Sequence, residues 1–350
     1  MDQEDLISRT TQKTVSNIDS SDLINDQNKS LKKANYLKHH FLYFALIASL
    51  NHALSYVVTA FASSLLEGNL GGIVNGLCWS LNAVSGLTIS TPLVRLLGYK
   101  TAMIISLWGY AIQIISLYIS IQFTAVQWPV AIIGSSIAGF TSAVWWTAQG
   151  VCFERTCVGI TEFRGPGTDI NRVRASMSAY WTFVYQSSDI VVFLTLSLFP
   201  ILLGTPIKKV MFVLSVLGVI TAVLGFSFDP LGDQPSTWSN EDLKRAIKAV
   251  PNQFVEDSRA GLLAPFVFGF GITTAMFAYY INDNVIADSI GEDYIGLLEA
   301  FSYFVAMAAA YPYAVISKDF SRGRDFVMQF GSTAFMMSGL LVLLYGPKQV

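Results

Sequence analysis

The chain has 350 residues, 53% of them apolar and only 13% charged, with 22 Lys and Arg against 24 Asp and Glu for a net charge of −2. Soluble domains carry about 25% charged residues, so this is not a soluble globular domain. Nucleic acid is excluded as a partner, because phosphate binding needs clustered cations and no basic stripe runs through the sequence.

Residues 1–39 are rich in Ser, Asp, Asn and Lys. They bury too little apolar surface to fold alone and are expected to form a disordered cytosolic tail. No short apolar run begins near Met1, so no cleavable signal peptide is expected. Nine apolar runs follow, at 40–63, 71–94, 101–122, 128–152, 176–200, 208–228, 262–286, 294–316 and 326–346. Each suits a hydrocarbon core of roughly 30 Å. Backbone groups in lipid must pair within their own segment, so the runs are expected to be helices. Barrel strands would be about half as long.

Basic residues in the intervening segments set the orientation. With alternate loops assigned to opposite sides, 19 of the 22 Lys and Arg fall on the side of the N-terminus. The N-terminus is therefore expected to be cytosolic. The 229–261 segment is expected to be a cytosolic linker between six spans (40–228) and three (262–346), with 347–350 as a tail. Within it, Ser239 and Asp242 read as a capping box and Trp238 as a staple to Leu243. Leu243, Ala246, Ile247 and Val250 follow at helical spacing, with Lys244, Arg245 and Lys248 between them. This short amphipathic helix either lies on the cytosolic leaflet or packs beneath the bundle. Cys78 sits in an apolar run, whereas Cys152 and Cys157 fall at or just past the end of another. All three read as small packing residues in a reducing compartment.

Two basic turns resemble one another: Pro92-Leu93-Val94-Arg95-Leu96-Leu97-Gly98-Tyr99-Lys100 after the second span, and Ser317-Lys318-Asp319-Phe320-Ser321-Arg322-Gly323-Arg324 after the eighth. They lie six spans apart, which suggests a six-helix unit used twice, the repeat that builds major facilitator transporters. The first turn resembles the facilitator motif between the second and third helices, without its usual acidic residue. Trp146 with Gln149 and Gly150, Gly98 with Lys100, Gly109-Tyr110 and Gln186 are together similar to the Unc-93-like family, a branch of that superfamily. Cys152 stands where that family usually has tyrosine. The resemblance implies an all-α multi-pass membrane protein with a major-facilitator-like bundle. Nine of twelve helices would be present (6+3), so the chain is expected to be a fragment. The resemblance also implies an accessory protein that regulates a potassium channel or escorts a membrane receptor.

Polar groups inside spans are costly; a central Asp costs roughly 2.5 to 3.5 kcal/mol on insertion scales. Asp189 sits near the middle of its span, with Thr182 and Gln186 on the same face. Asn51, His52, Asn82 and Gln113 fall at similar depth. His52 either relays a proton or bonds Asn82 across the bundle, while Asn51, Asn82 and Gln113 read as interhelical links. Asp189 and His52 are expected to form a proton- or cation-coupled centre. Glu299 either snorkels or binds, and Asn282 and Asp283 read as lining an outer vestibule. Gly134, Ser135 and Gly139 read as close-packing positions, and Trp145 and Trp146 as members of an interfacial aromatic belt. No HExxH motif, Walker loop or Cys-rich metal pattern is present, so neither an enzyme nor a cofactor is expected. Two functions remain: the accessory role, and secondary transport of a small solute coupled to a proton or cation.

Overall fold

The structure, a computed structural model, describes residues 20–229, 240–257 and 276–319, with isolated positions at 269, 271 and between 326 and 340. Its helices are α1 Ser20–Leu65, α2 Leu70–Thr88, α3 Ser90–Leu97, α4 Tyr99–Gln122, α5 Gln127–Arg164, α6 Ile170–Leu203, α7 Ile207–Leu224, α8 Asn240–Glu256 and α9 Ile295–Asp319, with a π-helical segment at Met276–Ala287. Among the described residues no strand occurs. Five helices are long and apolar enough to cross a membrane, and the bent pair α2–α3 makes a sixth if it counts as one span. The protein is thus an all-α bundle with several candidate membrane spans. Most of the first half of the seventh expected span lies outside the described residues, as do Trp238 and Ser239 of the expected cap; of the ninth, the described positions between 326 and 340 are helical.

The second expected span is not continuous. α2 and α3 meet at Ile89 with a bend of 66°. Pro92 explains the break, since its ring has no N–H to give the Thr88 carbonyl and would collide with it in a straight helix. The Ser90 hydroxyl donates instead to the Ser85 carbonyl at 2.8 Å, and the ladder resumes with Leu93 N–H to the Ile89 carbonyl. Gly98 then joins α3 to α4 at φ 77°, a left-handed backbone that a side chain would strain.

The expected tail also departs from its reading. Residues 20–39 are helical and continuous with the first span. The reason is tertiary: α5 runs on to Arg164, well past its apolar part, and α1 packs along that extension. Ala34, Leu37 and Phe41 are buried there, the Ser30 hydroxyl donates to the Phe163 carbonyl at 2.5 Å, and Lys33 lies over the Phe163 ring. The expected 153–175 loop shrinks accordingly to Gly165–Asp169, where the Asp169 carboxylate caps α6 through the Asn171 N–H. Leu37→Asp is expected to detach this arm, costing about 3 kcal/mol of burial. Trypsin cleavage at Lys29, Lys32 and Lys33 should then accelerate by at least about tenfold; unchanged cleavage would show that the arm does not depend on this contact.

α1 is the hub of the bundle, in contact with α2, α4, α5, α6 and α7. α8 packs against α2 and α3, beneath the bundle rather than apart from it, with Lys244, Arg245 and Lys248 exposed. The apolar core divides into two clusters. One gathers Phe41, Phe44, Met103, Leu107, Trp145 and Phe228 toward the basic end; the other gathers Phe61, Leu70, Ile114, Leu117, Phe193 and Leu214 toward the opposite end. Between them, at mid-height, run Asn51 and His52 of α1, Gln113 of α4, Gln186 and Asp189 of α6, and Gly218 and Thr221 of α7. The polar layer is therefore the seam between two apolar clusters.

Candidate functional site

The seam is built mostly from ordinary interhelical links. Asn51 Nδ2 donates to the Gly218 carbonyl (3.1 Å) and to Thr221 Oγ1 (2.8 Å), tying α1 to α7. Gln113 accepts from Ser55 Oγ (2.5 Å) and donates to Thr59 Oγ1 (3.1 Å), while Asn75 Nδ2 donates to the Thr59 carbonyl, so α1, α2 and α4 share one network. Such bonds contribute about 0.6–2 kcal/mol each in a membrane. Asn82 makes no hydrogen bond with His52 here. Both line a cavity of about 30 Å³ with Ser55, Thr59, Gln113 and Ser142, room for about two water molecules.

His52 is enclosed by aromatic rings. Trp145 stacks on it at 5.5 Å between centroids, and Tyr56, Tyr110, Trp146 and Tyr185 surround it at 5.3–6.0 Å. Its Nδ1 shares a hydrogen bond with the Tyr185 hydroxyl at 3.0 Å. This corrects the belt reading of Trp145, which is fully buried in the bundle. An indole facing an imidazole across the seam buries more area than one at a helix end, and α5 runs on far enough to place it inside. Trp146, 41% exposed, packs edge-on against Trp145.

Asp189 is 1% exposed, and neither carboxylate oxygen has a hydrogen-bond partner among the described residues. The Gln186 Oε1 one turn earlier on the same helix is likewise unpartnered. Asp189 and Glu299 of α9 are close enough for their carboxyls to interact electrostatically, and Tyr56, Tyr185 and Tyr303 stand within the same range of Asp189. α9 reaches this position because Gly296 lies directly on α6. A Cβ at Gly296 would meet Ser197 Oγ at 2.5 Å and the Phe193 carbonyl at 2.6 Å. Glu299 does not snorkel: its Oε1 accepts from Asn282 Nδ2 at 3.0 Å. Asn282, expected in an outer vestibule, is 2% exposed and belongs to this interior contact. The π-helical winding of its segment is a form that often marks functional positions. Asp283 shares that segment, but its side chain lies outside the described residues.

Of the residues that carry the family resemblance, Tyr110, Trp146 and Gln186 belong to this seam and the others sit elsewhere. Gly98 and Lys100 are at the α3–α4 junction toward the basic end, where Lys100 acts electrostatically on His40. Gln149 is half-buried on α5, and Gly150 is exposed with nothing within 4 Å of a Cβ placed there. Two larger hollows, between α1 and α5 around Leu37 and Phe163 and along α8 around Arg245, are surface grooves that do not reach the seam.

Between the two expected residues, His52 and Asp189, stands one that sequence reasoning passed over: Tyr185 is hydrogen-bonded to His52 and acts electrostatically on Asp189. Tyr185 lies four residues before Asp189 on α6, a spacing that puts both on one face. Counting tyrosine as apolar hid that signal. No family model matches the chain, and no curated protein matches it significantly.

Proposed function

We propose that the chain is an Unc-93-like member of the major facilitator superfamily, and that its interior is a proton- or cation-coupled transport centre for a small solute. The observation that supports this reading is Asp189, a buried carboxylate without a hydrogen-bond partner among the described residues, beside a second carboxylate, Glu299. An ionisable group is costly at such depth and is kept there for a task. The described interior holds carboxylates and no Lys or Arg, a sign that favours a cation over an anion. Rocking of two six-helix halves about a mid-height site would give alternating access, with a cytosolic N-terminus by the distribution of basic residues. The second reading, an accessory protein bound to a potassium channel or membrane receptor, rests on the resemblance carried by Trp146, Gln149 and Gly150.

Reconstitution separates the two. Purified chain in liposomes loaded with a pH-sensitive dye and held at a negative interior potential is expected to acidify the lumen when one member of a panel of amines, sugars and amino acids is added outside. Absence of solute-dependent acidification, together with stoichiometric recovery of a channel or receptor from mild detergent, would replace transport with the accessory role.

A further inference from the structure

We infer that the ion handled by this centre is a proton, delivered to Asp189 from the small seam cavity through His52 and Tyr185. The inference rests on the transport reading and names its coupling ion and route.

Size and sign come first. Asp189 is enclosed to 1% exposure, so its carboxylate is closed to a solute unless the helices move. Its two oxygens are acceptors that lack a donor among the described residues. Two species satisfy such acceptors in so little space, a bare metal cation or a proton. A metal cation of this kind takes about six or more oxygen ligands. What surrounds Asp189 instead is largely aromatic: Phe193 one turn on, and the rings of Tyr56, Tyr185 and Tyr303. Among the described residues no group of three His, Cys, Asp or Glu side chains converges as metal ligands would. A proton needs only one oxygen.

The route comes second. The cavity at His52 is large enough for about two water molecules and is lined by Ser55, Thr59, Gln113 and Ser142 hydroxyl and amide groups. His52 borders it and meets the Tyr185 hydroxyl through Nδ1 at 3.0 Å. Tyr185 and Asp189 are neighbours on one face of α6, and beyond Asp189 stand Glu299 and its donor Asn282. The transfer balances as a relay. Nε2 of His52 takes a proton from the cavity, making the imidazolium. Nδ1–H passes its proton to the Tyr185 oxygen as the Tyr185 O–H proton moves to an Asp189 carboxylate oxygen. His52 is left neutral, Tyr185 is unchanged and Asp189 is a neutral acid. No hydrogen bond joins Tyr185 to Asp189 in this arrangement, so a change of the Asp189 rotamer completes the last step. Among the described residues the titratable groups that act on Asp189 are Tyr56 from α1, Tyr185 from α6, and Glu299 and Tyr303 from α9; His52 of α1 and Tyr110 of α4 face Tyr185. None is a cation apart from protonated His52, so each proton that reaches the acid pair neutralises negative charge in the seam.

Infrared difference spectroscopy on the purified full chain in nanodiscs tests the route without reference to any transported solute. A pH step is expected to raise a protonated-carboxyl C=O band that Asp189→Asn removes and Asp189→Glu shifts; the second variant secures the assignment if the first does not fold. Tyr185→Phe keeps the ring against His52 and loses the hydroxyl. It is expected to slow the rise of the band on the order of 100-fold with little change in final amplitude, whereas Tyr118→Phe, at a ring that packs against Phe212 of α7, leaves the rate as it was. A Tyr185→Phe rate equal to the native one would overturn the route. A band that responds to sodium at fixed pH, and not to choline, would overturn the proton. Because the band follows the carboxyl itself, loss of solute flux in liposomes would refute the transport reading and leave this relay standing.

Discussion

Asp189→Asn is expected to abolish proton-dependent uptake while making the protein more stable. The native carboxylate is 1% exposed, has no hydrogen-bond partner among the described residues and faces a second carboxylate. A group with that surrounding contributes nothing favourable to the fold, and on insertion scales a central Asp costs roughly 2.5 to 3.5 kcal/mol. Asparagine keeps the shape and removes the charge, so the thermal midpoint in detergent should rise by several degrees, at about 2–4 °C per kcal/mol for chains of this order of size. Coupled flux should fall by at least about 100-fold, because the side chain can no longer take up and release a proton. Opposite changes in stability and activity are the mark of a site held against the interest of folding. Glu299→Gln, which keeps an Oε1 acceptor for Asn282, should weaken coupling less. Native flux in Asp189→Asn would remove the site from the mechanism, and a lower midpoint would show that the carboxylate has a structural partner.

Two glycines of α5 are expected to respond in opposite ways. A Cβ at Gly139 would lie 3.0 Å from both the Cα and the carbonyl carbon of Cys78, so α2 and α5 touch there backbone to backbone. Backbone cannot swing aside as a side chain can, and Gly139→Leu must drive the helices apart. Overpacking of this kind costs about 1–3 kcal/mol and sometimes more, and small residues are what allow such close crossings in membranes. The midpoint should drop by about 5 °C or more. A thiol-reactive dye should also reach Cys78, which is only half-buried, earlier in the melt. Gly150, eleven residues along the same helix, has nothing within 4 Å of an added Cβ. Gly150→Ala should therefore leave the midpoint unchanged or raise it slightly, since alanine is the better helix former by about 1 kcal/mol. Equal losses at both positions would show that the α2–α5 crossing is not decisive.

How much of this was legible beforehand depends on the length scale of the signal. The helical spans up to residue 228 were written in hydropathy, because lipid or a packed bundle demands long apolar runs whatever the fold around them. The depth of Asp189, His52 and Gln113 was legible too, since it needs only a position within a run. The break at Ile89 was half-written: Pro92 stood in view, but how the chain continues past a proline depends on local partners, here the Ser90 hydroxyl donating to the Ser85 carbonyl and the Leu93 N–H to the Ile89 carbonyl.

What lay beyond reach was every statement about partners. Residues 20–39 have the composition of a solvated tail, and their helix exists because the α5 extension covers Ala34, Leu37 and Phe41. Trp145 has the sequence context of an interfacial residue and sits instead against His52. Glu299 read as a residue that snorkels or binds and Asn282 as part of an outer vestibule, and a 3.0 Å hydrogen bond between distinct segments makes them one interior contact. The sequence by itself determined that the chain is helical and largely apolar, and that Asp189 and His52 fall in the middle of apolar runs, because burial cost and backbone pairing are properties of each segment alone. Only the tertiary structure decided which of those groups meet, because rotation of a helix about its axis and the crossing points at Gly139 and Gly296 are set by the neighbour it packs against.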